Sequence, residues 1–205
     1  MLGFETIGNA TITAFDESPV LTTDPWIKGK PYFGSWTHAY NIPKDQLDNI
    51  YKSKYIWLSH GHPDHIDPDS LELLKDKIFL IPDHYGDRIF NDLSKNYKCQ
   101  KIKSNIWIDL SKNIRVKSFA DWNQDSSLII EIAKKDIIFN LNDGSALGWS
   151  KEIRKLISNY RNRFLMKLIS WGDADMINFY NHHNEFVLPL AAERKPCGES
   201  YTYYM

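Results

Sequence analysis

The chain has little cysteine. Its 205 residues hold two, Cys99 and Cys197, 98 positions apart and outside any CxxC or CxH pair. That argues against a secreted disulfide framework and makes reduced thiols in a cytoplasmic protein the expectation. It also lacks a charge surplus: 25 Lys and Arg stand against 26 Asp and Glu, a net charge of -1. No basic excess marks a nucleic-acid or anionic-lipid partner. No apolar run approaches the ~20 residues of a membrane span. The opening MLGFETIGNATITAFDE carries Glu5 and Asp16 and has no basic segment ahead of an apolar one, so it does not read as a signal peptide. Internal repeats and low-complexity tracts are absent as well. What is present is ordinary globular composition, 42% hydrophobic and 25% charged, with aromatics at 14% that predict a large core or an aromatic-lined pocket. At this length the chain buries roughly 70% of its unfolded surface without staples. The expectation is one domain over residues 1–205.

The apolar pattern mixes strands with short helices. Phe4, Thr6 and the run Ala10–Phe15 alternate as paired strands around Gly8-Asn9, and Val20–Thr23 is a second short strand ended by Asp24-Pro25. Trp26 to Pro43 is a loop rich in Gly, Pro and aromatic residues, of the length that binding loops have. Lys44–Lys52, Asp69–Asp76 and Asp87–Lys95 carry short helical patterns, and a longer one runs from Lys151 to about Leu165. Tyr55–Ser59 and Ile78–Ile81 are near-continuous apolar runs, as in strands buried on both faces. Two alternating strands lie within Ile102–Val116, and a hairpin joins Ser127–Ile132 to Asp136–Leu141 through Lys134-Lys135. The mixture predicts an α/β or α+β fold with helices covering sheets.

One constellation carries chemistry. His60-Gly61-His62-Pro63-Asp64-His65 packs three His and one Asp into six positions directly after the apolar run Tyr55–Ser59. A single His is most often a surface residue or a satisfied core residue; this cluster at a strand's C-terminal end is not read that way. In extended chain residues i and i+2 point the same way, so His60 and His62 can face one metal ion. Asp64 and His65 point apart and can reach a second. Imidazole and carboxylate suit zinc, iron or manganese.

This HxHxDH motif resembles the signature of the metallo-β-lactamase superfamily. Gly8-Asn9-Ala10-Thr11 is similar to the family's opening strand motif. Leu21-Thr22-Thr23-Asp24-Pro25-Trp26 resembles the LTDPW segment of the branch that holds ascorbate-6-phosphate lactonases and CMP-N-acetylneuraminate hydroxylases. DPWIKGKPYFGSW and DSSLIIEIAKKDIIFNLND are most similar to the hydroxylase-like members, and the resemblance covers about Gly8 to Asp143. It implies a four-layer αββα sandwich with two divalent metal ions, zinc or else iron or manganese, at one edge.

The resemblance also implies the remaining ligands. Asp143, ending Phe139-Asn140-Leu141-Asn142-Asp143, takes the place of the Asp that bridges two metals. The family's intermediate ligand, usually His, falls in Phe119–Asp125, which contains no His; alignment puts Asp121 there, with Asp125 as the alternative. A carboxylate at that point shifts the site toward harder, oxygen-preferring metals. The last ligand corresponds to His183 or His182, 40 and 39 positions after Asp143, in a polar run that also fits a surface loop. Many relatives continue to a further strand ending in His, so a shortened version of a longer protein is a second expectation. Asp24 is expected to orient a ligand His, unless it is simply an Asp-Pro turn former. Trp26, His38 and His84 are expected beside the ligands or the substrate.

Three functions remain. The first is a metal-dependent hydrolase that uses a metal-activated hydroxide on an ester, lactone, amide or phosphodiester of a small-molecule substrate, with Asp64 binding metal or orienting the water. The second is a di-iron oxygenase hydroxylating a nucleotide sugar or related metabolite. It would take electrons from a separate protein, because the sequence has no CxH…CxxH pair for a Rieske cluster. The third is an inactive metal-binding relic.

Overall fold

The structure, a computed structural model, describes residues 1–38, 40–142, 144, 148–167, 178–180 and 186–187. The elements in chain order begin with β1 (Leu2–Gly8), β2 (Thr11–Asp16), β3 (Ser18–Thr23), β4 (Trp36–Thr37), α1 (Lys44–Lys52) and β5 (Tyr55–Trp57). Then come α2 (Pro68–Glu72), β6 (Ile78–Pro82), α3 (Arg88–Leu93), β7 (Lys98–Ile102), β8 (Trp107–Asp109) and β9 (Ile114–Ala120). The last are β10 (Ser126–Ile132), β11 (Asp136–Asn142), α4 (Ser150–Ile157), β12 (Asn162–Lys167), β13 (Asn178–Tyr180) and β14 (Phe186–Val187).

The first sheet has the order β1-β2-β3-β5-β6-β7 and the second β12-β11-β10-β9-β8. A small third sheet joins β14, β13 and β4. β3, β5, β6 and β7 are mutually parallel. Parallel neighbours need crossovers, and α1, α2 and α3 supply them.

Alternation along the central strands assigns the layers. Trp57 and Leu80 point inward and pack with Ile12, Leu21 and Ile102 of the first sheet against Val116, Leu128, Ile130 and Ile138 of the second. Ile56, Phe79 and Ile81 point the other way, onto Ile50 of α1, Leu71 and Leu74 around α2, and Ile89 and Leu93 of α3. Phe119, Ile129 and Ile137 on the outer face of the second sheet are covered by Ile153 of α4 and by Tyr160. The order is therefore helix, sheet, sheet, helix, the αββα arrangement the resemblance implies. Each such fully buried side chain is worth roughly 1.5–3 kcal/mol over an exposed one.

Local chemistry fixes the connections. Asp67 caps α2 by accepting from the Ser70 N–H at 2.9 Å, with Pro68 at the first helical position. Ala133 and Lys134, with φ of 53° and 56°, turn the β10–β11 hairpin.

The expected helix to Leu165 is corrected. α4 ends at Ile157, and Asn162–Lys167 is instead a strand parallel to β11. Tyr160 dives into the outer core and donates to the buried Glu131, which Arg115 also grips at 2.6 and 2.7 Å. Phe164 meets Phe4 edge to face at 5.0 Å. Pairing and packing in this segment outweigh helical periodicity. α2 likewise stops at Glu72, before the expected Asp76.

Cys99 is half-buried, and burial pushes its thiol up to about 11, which favours the protonated form at neutral pH. Cys197 lies outside the described residues. Among the described residues no helix is long and apolar enough to cross a membrane.

Candidate metal centre

The HxHxDH segment leaves the C-terminal edge of the parallel strands. Leu58 extends β5 by donating to the Leu80 carbonyl at 3.2 Å, and the Asp24 N–H donates to the Trp57 carbonyl at 2.8 Å. Parallel β3 and β5 thus end side by side and bring Asp24 against Ser59. After His62 the chain turns, with the N–H groups of His65 and Ile66 both donating to the His62 carbonyl at 3.0 Å.

Four donor residues meet in two pairs. Nε2 of His60 lies 2.6 Å from Nδ1 of His62, and Nε2 of His65 lies 3.2 Å from Oδ2 of Asp64. The pairs adjoin, because the His60 and His65 ring centroids are 4.2 Å apart. His60, Asp64 and His65 are buried, whereas His62 is exposed. Burial, reinforced by the neighbouring His65 and His62, pushes His60 down to about 2, so its ring is neutral. Burial also works against charge on His65, but Asp24 and Asp64 on either side outweigh it and hold its pKa well above the ordinary histidine value. Burial would raise Asp64, yet the neighbouring His65 with its charge, and hydrogen bonds from Asn9 and Tyr32, leave its carboxyl below the usual range.

Behind these donors lies a buried polar layer. Asp24 accepts from the Ser59 N–H at 2.7 Å, the Ser59 hydroxyl at 3.0 Å and the Asn142 amide at 3.2 Å, and it faces Nδ1 of His65 at 3.4 Å. Its complete burial raises its pKa against these contacts. Asp24 thus lies against the ring nitrogen of His65 that faces away from Asp64. On the open side Asn9 and Tyr32 donate to the two oxygens of Asp64, at 3.1 and 2.9 Å.

The sequence reading did not single out Asn9, Tyr32, Ser59 or Asn142. One signal was legible. Asn9, Asp24 and Asn142 all stand at or just past strand ends with φ of 48°, 39° and 53°. Asn and Asp are the non-glycine residues that best tolerate this left-handed backbone.

The other expected residues are divided. Asp121 is near the cluster but its Oδ1 accepts from the N–H groups of Asn123 and Asp125 at 2.8 and 3.1 Å, closing its own turn. Asp125 places Oδ1 3.5 Å from Nδ1 of His60. His84 is buried with neither ring nitrogen in a hydrogen bond. Burial lowers its pKa, opposed by Asp121 and by the carbonyls of Asp125 and Ser59. His38 stacks on buried Trp26 at 4.1 Å, with Asp67 acting on its charge; these contacts are with the aromatic loop and the start of α2. Asp143, His182 and His183 lie outside the described residues.

The donor set fits a metal. Nε2 of His65 is buried and lacks a hydrogen bond despite its closeness to Asp64, and two imidazole nitrogens converge at His60 and His62. Among the described residues alone, no three His, Cys, Asp or Glu side chains converge on one point. Each pair therefore needs donors from elsewhere.

No family model matches the chain. It is 32% identical over 117 residues to the cytidine monophosphate-N-acetylneuraminic acid hydroxylase of Asterias rubens, covering 54% of this chain and 16% of that protein. It is 26% identical over 130 residues to the inactive cytidine monophosphate-N-acetylneuraminic acid hydroxylase of Homo sapiens, covering 58% and 26%. Among solved structures it is similar to a possible metal-dependent hydrolase from Veillonella parvula, at TM-score 0.58 and 13% identity over 80% of this chain and 70% of that one. It is also similar to CmlA, a diiron β-hydroxylase from Streptomyces venezuelae, at TM-score 0.56 and 13% identity over 76% and 32%. The chain spans only a small part, 16%, of the first of these hydroxylases. With two facing sheets flanked by helices, the chain has the metallo-β-lactamase fold, and its sequence is similar to the cytidine monophosphate-N-acetylneuraminic acid hydroxylases.

Proposed function

We propose that the chain is a metal-dependent hydrolase acting on a small molecule, with residues 1–205 as one catalytic unit. The observation that supports this most is the pairing of donor atoms, His60 Nε2 with His62 Nδ1 and Asp64 Oδ2 with His65 Nε2, in adjoining positions. His60 and His62 would hold one ion, Asp64 and His65 a second. Asp143 would bridge them, and Asp121 and His183 or His182 would complete the set. Two ions held there would supply Lewis acidity and an activated water at neutral pH.

The chain's own residues then have distinct tasks. Asp64, kept acidic by its neighbours, is a ligand and a fixed acceptor that orients water rather than a store for its proton. Tyr32 and Asn9 hold that carboxylate in place. Asp24 and Ser59 hold His65 and His60 from behind. The loop carrying Trp26, Tyr32 and Trp36 brings aromatic surface up to the Asp64 side, where a ring-bearing ester or lactone can pack.

A second reading has its own support. The similarity to hydroxylases over 54% of the chain, together with a carboxylate, Asp121, where the motif would carry imidazole, favours a di-iron oxygenase. The test is elemental analysis of protein purified without added metal, followed by turnover of ester, lactone and phosphodiester panels and by oxygen uptake with an external reductant. Stoichiometric zinc with hydrolysis supports the first reading. Two irons with oxygen uptake support the second. Less than one ion under every loading condition overturns both and leaves the relic.

A further inference from the structure

A guanidinium stands beside the residue that separates His60 from His62. A Cβ added to Gly61 would lie 3.5 Å from Cδ1 of Ile89 and 3.8 Å from Nη2 of Arg88. Ile89 is buried, whereas Arg88, Gly61 and His62 are exposed. The start of α3 thus packs on the HxHxDH loop and leaves the guanidinium on its open side.

Among the described residues Arg88 makes no hydrogen bond and no ion pair. The carboxylates closest to it along α3 are already engaged. Asp87 pairs with Lys101 at 2.7 Å, and Asp92, one turn on, pairs with Lys95 at 2.8 Å. Arg88 acts on Asp92 through charge alone. Its planar fork of five donors, suited to a carboxylate or a phosphate, is left to face water.

An exposed arginine by itself is ordinary surface. Three aromatic rings at the same edge set this one apart. Phe33, Tyr85 and Trp122 are 111%, 89% and 77% exposed, and among the described residues none of them stacks on another ring. Each directly follows a residue of the site. Tyr32 donates to Asp64 at 2.9 Å, His84 acts on the charge of His60, and Asp121 acts on that of His84. Adjacent Cα atoms are about 3.8 Å apart, so these rings stand on three loops that meet at the donor cluster. Tyr85 and Arg88 share the segment between β6 and α3, which turns through Gly86 and Asp87 with φ of 80° and 55°. Three exposed rings around one polar site mark a binding surface.

We propose that the substrate is an organic anion built on a planar ring. Arg88 receives its carboxylate or phosphate group beside the His60–His62 pair, and Tyr85 and Trp122 receive the ring, with Phe33 on the Asp64 side. The inference rests on the metal-centre reading above and adds a substrate class to it. Asp64, Asp121 and Asp125 would repel an anion, so a fixed cation at the mouth decides whether one is admitted. These carboxylates are also occupied from within: Asp64 by Asn9 and Tyr32, Asp121 by two backbone N–H groups and Asp125 by the Ser126 N–H at 2.6 Å.

The test is NMR titration of the full chain, metal-free and after Zn(II) addition, with benzoate, phenyl phosphate, inorganic phosphate and neutral benzyl alcohol. In the metal-free chain the two aryl anions should bind about 10-fold tighter than benzyl alcohol, the low end for a hydrogen bond to a charged group. Arg88→Gln should erase that preference. Arg88→Lys, which keeps the charge but not the fork, should fall between. Replacing Tyr85 and Trp122 together by Ala should weaken both aryl anions about threefold and leave inorganic phosphate unchanged. The tighter of benzoate and phenyl phosphate identifies the anionic group. A preference for anions that survives Arg88→Gln in the metal-free chain overturns the proposal, as does equal binding of benzyl alcohol and the aryl anions by the wild type. Aryl anions indifferent to the Tyr85 and Trp122 substitutions overturn its ring half. Binding that depends on Arg88 in a chain that takes up no Zn(II) would sink the metal reading and leave the anion seat standing.

Discussion

Oδ1 of Asp24 and Nδ1 of His65 lie 3.4 Å apart, and neither side chain reaches solvent. The contact joins the end of β3 to the loop after β5 and gives the site a rigid floor. A buried carboxylate is costly unless every lone pair is used, and here two N–H groups, a hydroxyl and an imidazole surround it.

Asp24→Ala should therefore damage both fold and site. Removing one partner of a buried, charged network costs about 3–5 kcal/mol. Chemical denaturation should show that loss, and Zn(II) affinity should fall about 10- to 100-fold. Wild-type stability in this variant would refute the role given to the floor.

Tyr32→Phe keeps the ring that packs against Trp36 at 4.3 Å but removes the hydroxyl that donates to Asp64 at 2.9 Å. Losing a donor disfavours the carboxylate form, so the Asp64 pKa should rise toward the ordinary value. Stability should fall by about 1.5 kcal/mol, the value of one hydrogen bond to a charged group. Carboxyl-carbon NMR titration of the metal-free protein reads the first effect, and urea denaturation the second.

Gly29→Ala tests the aromatic loop. Gly29 has φ of 88°, and an added Cβ would lie 2.3 Å from Oδ2 of Asp67, the cap of α2. Backbone strain alone costs on the order of 1–3 kcal/mol, and Asp67 must move as well. A clear drop in melting temperature is expected, with the loop shifted at Tyr32. An unchanged melting temperature would show that the loop absorbs the methyl group freely.

Asp16 gives a pH dependence away from the site. Side-chain hydrogen bonds from Asn113 and Ser111 hold its pKa below the ordinary 3.8 and tie the β2 end to the β8–β9 turn. Its folded pKa is depressed, so its contribution to stability is complete above the unfolded value and is lost as pH falls through the folded one. Thermal melts of wild type and Asp16→Asn should differ most at neutral pH and converge as the pH falls below the ordinary carboxylate value through the depressed one. A difference that is constant with pH would remove Asp16 as its source.

How much of this was legible in the sequence follows from the range of each interaction. The six residues His60–His65 carry their chemistry locally, after an apolar run that can only be a buried strand, and the β10–β11 hairpin reads off alternation and a turn. The Asp24-Pro25 segment marked a strand end near the site for the same reason. Only the tertiary structure assigned the far partners. Asn142 reaches Asp24 across 118 positions, Ser59 reaches it across 35, and Asn9 reaches Asp64 across 55. Sheet register sets such contacts, and a single Ser or Asn at a strand end carries no periodic signal. α4 shows the converse. Its apolar spacing continues past Ile157, but the edge of β11 and the buried Glu131 offered Asn162–Lys167 and Tyr160 better partners than another helical turn. Sequence determined which donors the site has, because they are neighbours in the chain; folding decided which atoms stand behind them, because those come from strands that meet only in the sandwich.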